Sequence, residues 1–166
     1  MGSNGPDIKK LITVPAIITI VVTFARLVSE LSDLPGWLAS KESGGGAALL
    51  GITWLVPIFA IYFAFKLAAA GSPSWKSLAK TLLYYGLAAR IPVIIIMGLA
   101  IFGEWGTHYD AFPPEFQSMS AAMKFLLGGV VTQLVLWIGV WTVGIGTVIG
   151  MIASKLFGPK HKEARA

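Results

Sequence analysis

Long apolar runs separated by short polar segments dominate the chain. A membrane-spanning helix needs about 20 apolar residues to cross a hydrocarbon core about 30 Å thick. Four runs meet this length, at about 11–31, 47–70, 78–103 and 125–154. The pattern therefore predicts an all-α, polytopic integral membrane protein: a single domain over 1–166 with four transmembrane helices and an outer loop between helices 3 and 4.

Charges and prolines modify this picture at a few positions. Arg26 lies near the far end of the first run, where we expect its long side chain to snorkel to the interface. Glu30 follows one helical turn later and is placed to pair with it. Pro57 falls near the middle of the second run, so we expect a kink there.

Arg90 is the one charge placed deep inside an apolar run, with Pro92 two residues later. A charge at mid-bilayer costs about 2.5–3.5 kcal/mol on insertion scales, so its side chain must face other helices or a wet cavity. Tyr85 and Gln133 are the polar residues that we predict to share a ligand site with it. Three interpretations stay open: a structural pin held by neutral partners such as Gln133, a binding residue for an anion or a lipid headgroup, or a residue that pairs with a carboxylate of a partner protein.

The outer loop from Glu104 to Lys124 carries a second group of polar side chains. Its His108, Asp110 and Glu104 offer the nitrogen and oxygen donors that divalent metals use. Their spacing matches no established metal motif, and the alternative is that these side chains are simply solvated or paired with cations.

The last run presents a small residue at every fourth position: Thr142, Gly146, Gly150 and Ser154. Such a face lets two helix backbones approach closely, and Gly146 with Gly150 forms a GxxxG pair. The face predicts helix packing, either within the four-helix unit or between two copies of the chain.

Composition agrees with a membrane protein and removes several functions. Residues are 55% hydrophobic and only 13% charged, more apolar than is usual for a soluble domain. The net charge of +5 does not indicate nucleic acid, because the cations are dispersed between apolar runs of spanning length. The absence of cysteine excludes disulfides, thiolate zinc sites and cysteine nucleophiles. No cofactor is indicated.

The distribution of cations predicts the orientation. With the N-terminus cytoplasmic, nine Lys and Arg residues fall on the inner side and three on the outer side, as the positive-inside rule requires. We therefore expect a multi-pass protein of a bacterial-type inner (cytoplasmic) membrane with both termini in the cytoplasm.

Three functions follow from these features, and the first is our leading interpretation. It is a non-catalytic membrane subunit or scaffold that packs through Gly-rich helix faces, as a homo-oligomer or in a larger membrane complex. The alternative is a small transporter or a lipid- or anion-binding protein centred on Arg90. The third is a membrane enzyme or metal protein that uses His108 and the nearby acids.

Overall fold

The computed structural model describes residues 6–35, 37–39, 50–51, 53–71 and 74–158. It is 78% helical, and no strand occurs in these ranges. Four helices follow one another along the chain: α1 (Ile8–Leu31), α2 (Leu55–Ala69), α3 (Trp75–Gly103) and α4 (Ala121–Phe157). A short 3₁₀ helix, Pro114–Phe116, lies in the loop before α4. The prediction of an all-helical protein is confirmed.

Three of the four helices, α1, α3 and α4, are long and apolar enough to cross a membrane. The fourth, α2, has 15 residues, which at about 1.5 Å per residue gives roughly 22 Å, less than the hydrocarbon thickness. We predicted a longer span at 47–70, but residues 47–49 and 52 of it lie outside the described residues. Among the described residues three candidate spans are shown, and the fourth predicted span is not confirmed.

Proline explains part of the difference at α2. Pro57 is the third residue of this helix, in the first turn, where backbone N–H groups have no intrahelical partner and a missing donor costs nothing. Our expectation of a mid-helix kink at Pro57 is therefore wrong. By contrast, Pro15 and Pro92 lie inside α1 and α3.

The last helix changes its hydrogen-bonding pattern along its length. After one α-turn capped by the Ser120 side chain, Phe125–Ile145 is a π-helix, and Gly146–Phe157 is α-helical again. Thr132 and Thr142 donate their hydroxyl protons to carbonyls five residues back, at 2.8 and 2.7 Å. A π-helix puts more residues into each turn and rises less per residue. A segment too long for a straight α-helical span is shortened in this way.

The helices alternate in direction, so that the starts of α1 and α3 lie at the same end of the bundle as the ends of α2 and α4. One buried cluster joins Ala16 of α1, Leu67 of α2 and Leu78 of α3; a second joins Leu27 of α1 to Ile101 of α3 and to the loop residue Tyr109. We call the end where α1 and α3 begin and α2 and α4 end the lysine end. The opposite end, which carries residues 104–120, is the loop end.

Candidate functional site

Arg90 lies in the middle of α3 and is 5% exposed. At about 1.5 Å per residue, it is roughly 22 Å from Trp75 and roughly 20 Å from Gly103 along the helix axis. Its guanidinium carbon sits 4.7 Å from the centroid of the Trp137 ring, in cation–π contact. Its Nη1 donates to Oε1 of Gln133 across a long 3.4 Å. The charge is therefore held between α3 and the π-helical part of α4.

The hydrogen-bonding capacity of Arg90 is mostly unused. A guanidinium has five N–H donors, and only one makes a hydrogen bond to a described residue. Arg90 forms no ion pair within the described ranges, where the two close charge contacts both involve Glu30 at the loop end. Buried charges are normally paired and fully hydrogen-bonded, so the described part of the chain leaves this positive charge without a counter-charge.

Gln133 is fixed from both sides. Its amide oxygen accepts from Arg90, and its amide nitrogen lies 3.5 Å from the sulfur of Met97, a weak acceptor. Both partners belong to α3, so Gln133 ties α4 to α3 around the arginine. The structure thus brings together two of the three residues that we predicted to share a ligand site.

Tyr85, the third predicted residue, makes its hydrogen bond elsewhere. It is 1% exposed, and its hydroxyl lies 2.8 Å from Oγ1 of Thr19 on α1. The Thr19 hydroxyl donates its own proton to the Pro15 carbonyl at 2.9 Å, so Tyr85 must be the donor. The tyrosine ring packs edge-on against Phe59 and Phe63 of α2. Tyr85 therefore joins three helices beside the site, and its oxygen keeps an acceptor position.

A second charged group lies at the loop end, between α1 and the loop. Nε of Arg26 donates to Oε1 of Glu30 at 2.8 Å, and Glu30 is completely buried. The backbone N–H of His108 donates to the other carboxylate oxygen at 2.9 Å. The predicted pairing of Arg26 with Glu30 is confirmed. Arg26 itself is only 8% exposed, so its side chain packs against the protein instead of extending freely to water as we expected.

The His108 ring lies against the same carboxylate. Its Nδ1 lies 2.6 Å from Oε1 of Glu30, and no other described residue offers this buried atom a hydrogen-bond partner. Burial lowers the pKa of His108, and this effect outweighs the opposing influence of the Glu30 carboxylate. The imidazole is therefore held more strongly in its neutral form than a free histidine.

Tyr109 connects the two charged groups. It is 4% exposed, and its hydroxyl donates to the Thr23 carbonyl of α1 at 3.2 Å. It interacts electrostatically with Arg26 on one side and with Arg90 on the other, and burial raises its pKa. Thr19, Thr23 and Arg26 share one face of α1, since they recur every three or four residues. A column of polar groups thus leads from the loop end towards Arg90.

The predicted metal ligands do not gather around a common point. The Asp110 carboxylate accepts from the backbone N–H groups of Gly106 and Thr107, at 2.8 and 2.7 Å, and closes the local turn. Glu104 is exposed and ends α3 in a left-handed conformation with φ of 50°. Among the described residues, no group of three or more His, Asp or Glu side chains could hold a metal ion. The geometry gives the metal prediction no support.

The small-residue face of α4 packs inside the molecule. A Cβ atom on Gly146 would lie 3.2 Å from Cδ1 of Leu82, and one on Gly150 would lie 2.8 Å from both the Ala60 carbonyl oxygen and Cδ2 of Leu78. Thr142 is 1% exposed, whereas Ser154, at the end of the face, is partly exposed. Gly146 and Gly150 thus let α4 approach α2 and α3 of the same chain.

The sequence did not indicate that Trp137 contacts Arg90, that His108 contacts Glu30, or that Tyr109 is buried. A signal for Trp137 exists in the spacing of α4, where Gly129, Gln133, Ile138 and Thr142 are buried at intervals of four and five residues. This interval exceeds the α-helical period and fits the i to i+5 pattern of a π-helix. On such a helix, Trp137 follows Gln133 by about one turn.

Comparison with models of protein families, with curated proteins and with solved structures finds no match to this chain. Fold and composition define it as an all-helical protein with three apolar helices that could span a membrane.

Proposed function

We propose that this chain is a small integral membrane protein that binds a small anion inside its helical bundle, at Arg90. The observation that carries the proposal is the state of that side chain. Arg90 is buried at the middle of α3, has one long hydrogen bond, and has no acid partner among the described residues. A buried charge at this depth is costly and typical of ligand or ion sites in membrane proteins.

Depth selects the kind of anion. Lipid phosphates lie outside the hydrocarbon core, at least about 15 Å from the bilayer centre, whereas Arg90 is roughly 20 Å from either end of α3. A headgroup would have to be drawn far into the bundle, but a small anion needs only a polar path. One positive charge, one amide and one aromatic face favour a monovalent, weakly hydrated anion such as nitrate or thiocyanate over phosphate.

The polar column supports entry from the loop end. The Tyr109 hydroxyl interacts electrostatically with both Arg26 and Arg90 and donates to the Thr23 carbonyl. Because Tyr109 and Thr23 are both buried, an entering anion would have to take over that hydroxyl proton. An anion that moves along this column would leave water close to Arg26 and meet Arg90 last. The Arg26–Glu30 pair is internally neutral, so Arg90 supplies the attraction.

The charges at the two ends of the bundle also support an orientation in the membrane. The lysine end would face the cytoplasm and the loop end the outside, in agreement with the positive-inside rule. Because the chain has no cysteine, Ala70→Cys at the lysine end and Ser118→Cys at the loop end can be labelled singly. Labelling of Ala70→Cys from outside intact cells would refute this orientation and indicate the opposite one.

A non-catalytic membrane subunit was the leading interpretation of the sequence, and it relied on the Gly-rich face. That face is covered by α2 and α3 of the same chain, so a subunit would need a different surface to associate. Anion binding, by contrast, uses a feature that the bundle leaves unsatisfied. We therefore place it ahead.

The test is direct binding of nitrate, thiocyanate, chloride and acetate to the protein in lipid nanodiscs, measured by calorimetry. We expect saturable binding of at least one anion to the wild type, loss in Arg90→Leu, and weaker binding in Arg90→Lys, which keeps the charge but not the planar fork. Lys80→Gln is the matched control, because it removes an exposed lysine of the same helix. A wild type that binds none of these anions, or an Arg90→Leu protein that still binds them, would refute the proposal.

A further inference from the structure

Six lysines meet at one end of the bundle. They come from the starts of α1 and α3 and the ends of α2 and α4: Lys9, Lys10, Lys66, Lys76, Lys80 and Lys155. All six are exposed, and none forms an ion pair with a described residue. The single described acid at this end, Asp7, accepts from the backbone N–H of Lys9 at 3.0 Å and caps α1. The lysines are therefore free to meet an external anion.

The opposite end has the reverse balance. Its described cations are Arg26 and Lys124, and it carries five described acids: Glu30, Asp33, Glu104, Asp110 and Glu115. A general need for solubility would distribute charge over both ends. The concentration of unpaired lysines at one end is what the positive-inside rule describes for the cytoplasmic side of a membrane protein, and the cytoplasmic leaflet carries a negative surface potential.

Two of the lysines make cation–π contacts with aromatic rings on their own helices. Nζ of Lys66 lies 5.7 Å from the centroid of the Tyr62 ring, and Nζ of Lys76 lies 5.7 Å from that of Trp75. Trp75 is 59% exposed, at the first position of α3. Exposed Trp and Tyr beside lysine, just where apolar helices end, are typical of the headgroup level of a bilayer. In a bilayer spanned by these helices, Lys66 and Lys76 would therefore lie at the level of the lipid headgroups.

We propose that the lysine end binds anionic phospholipid headgroups, through phosphate contacts with Lys66, Lys76 and Lys80 at the junction of α2 with α3. This junction concentrates three lysines on two consecutive helices, and both aromatic pairs belong to it. The lipid is recognised by its negative phosphodiester and by its position at the membrane surface. This site is separate from Arg90 and does not rest on anion binding there.

The experiment compares phosphatidylglycerol with phosphatidylcholine as ligands of the purified full chain, by native mass spectrometry and by the shift of the unfolding temperature. We expect preferential, saturable phosphatidylglycerol adducts and a rise in unfolding temperature that phosphatidylcholine does not give. Each lysine near an anionic membrane surface strengthens attraction by about fivefold. The triple variant K66Q/K76Q/K80Q should therefore lose most of the preference, while K124Q, at the loop end, should keep it.

The substituted lysines are exposed, so the variants should keep their helix content, which circular dichroism checks. Equal binding of the two lipids by the wild type would overturn the proposal, as would a preference that survives the triple substitution. Complete displacement of phosphatidylglycerol by millimolar inorganic phosphate would also overturn it, because the site would then recognise free phosphate rather than a lipid at the membrane surface.

Discussion

Replacing Gly150 by alanine tests how closely α4 approaches the rest of the bundle. The added methyl carbon would lie 2.8 Å from the Ala60 carbonyl oxygen of α2 and 2.8 Å from Cδ2 of Leu78 on α3. The leucine tip can rotate, but the carbonyl belongs to the backbone in the middle of α2, so a helix has to move. Overpacking of this kind costs about 1–3 kcal/mol, and we expect Gly150→Ala to lower the free energy of unfolding by that amount.

Gly139→Ala is the matched control on the same helix. Gly139 is exposed, and a methyl group there would meet only the Leu134 carbonyl oxygen at an ordinary 3.6 Å. Alanine also has the higher helix propensity, so the control should leave stability unchanged or raise it slightly. Reversible unfolding in mixed micelles at increasing denaturing detergent gives both values. If Gly150→Ala is as stable as Gly139→Ala, the close approach of α4 to α2 is wrong.

Three further predictions concern the polar interior. Gln133→Leu should destabilise the protein by about 1–3 kcal/mol, because it removes the one hydrogen bond that Arg90 makes to a described residue. Gln133→Glu should keep the protein stable but abolish anion binding, since the new carboxylate would neutralise Arg90. Unfolding measures the change in stability, and calorimetry measures the change in anion binding. Tyr109→Phe should cost about 0.5–1.5 kcal/mol through loss of its hydrogen bond to Thr23, and a variant of wild-type stability would contradict that contact. Burial lowers the pKa of His108 in the folded protein, so the contribution of neutral His108 to stability is complete above the pKa of a free histidine, near 6.5, and is lost as the pH falls towards the folded pKa. The free energy of unfolding of the wild type, measured between pH 5 and 8, should show this loss. A His108→Gln variant with the same pH dependence would refute the prediction.

Apolar patterning predicted the class of fold and one helix end well, because burial in lipid demands a long apolar helix whatever its neighbours are. The third helix ends at Gly103, where the predicted span ends. At α2 the predicted span is not confirmed, since an apolar segment also suits a helix buried among other helices, and Pro57 was equally compatible with a first turn and with a kink. Hydropathy measures the total apolar content of a segment and does not locate the helix start within it.

The spacing of residues along the chain could not predict contacts between segments that are distant in the sequence. Arg26 and Glu30 could be paired from their separation of four residues, but His108, whose backbone N–H donates to the Glu30 carboxylate, comes from the loop after α3. Without that third residue, an arginine near a helix end is most simply placed at the interface. In the same way, Gln133 was identified as polar and deep, whereas Trp137 required the wider turn of the π-helix.

The two buried arginines differ in one respect that bears on function. Arg26 has a glutamate on its own helix, at the spacing that lets the two side chains meet, and the pair leaves no net charge in the interior. Arg90 has neutral partners in Gln133 and Trp137, which orient the guanidinium but do not neutralise it. A cation–π contact and one long hydrogen bond offset only part of the desolvation of a charge at this depth. A negative group beside Arg90 would offset the rest of that cost, which is the physical ground for the anion binding proposed above.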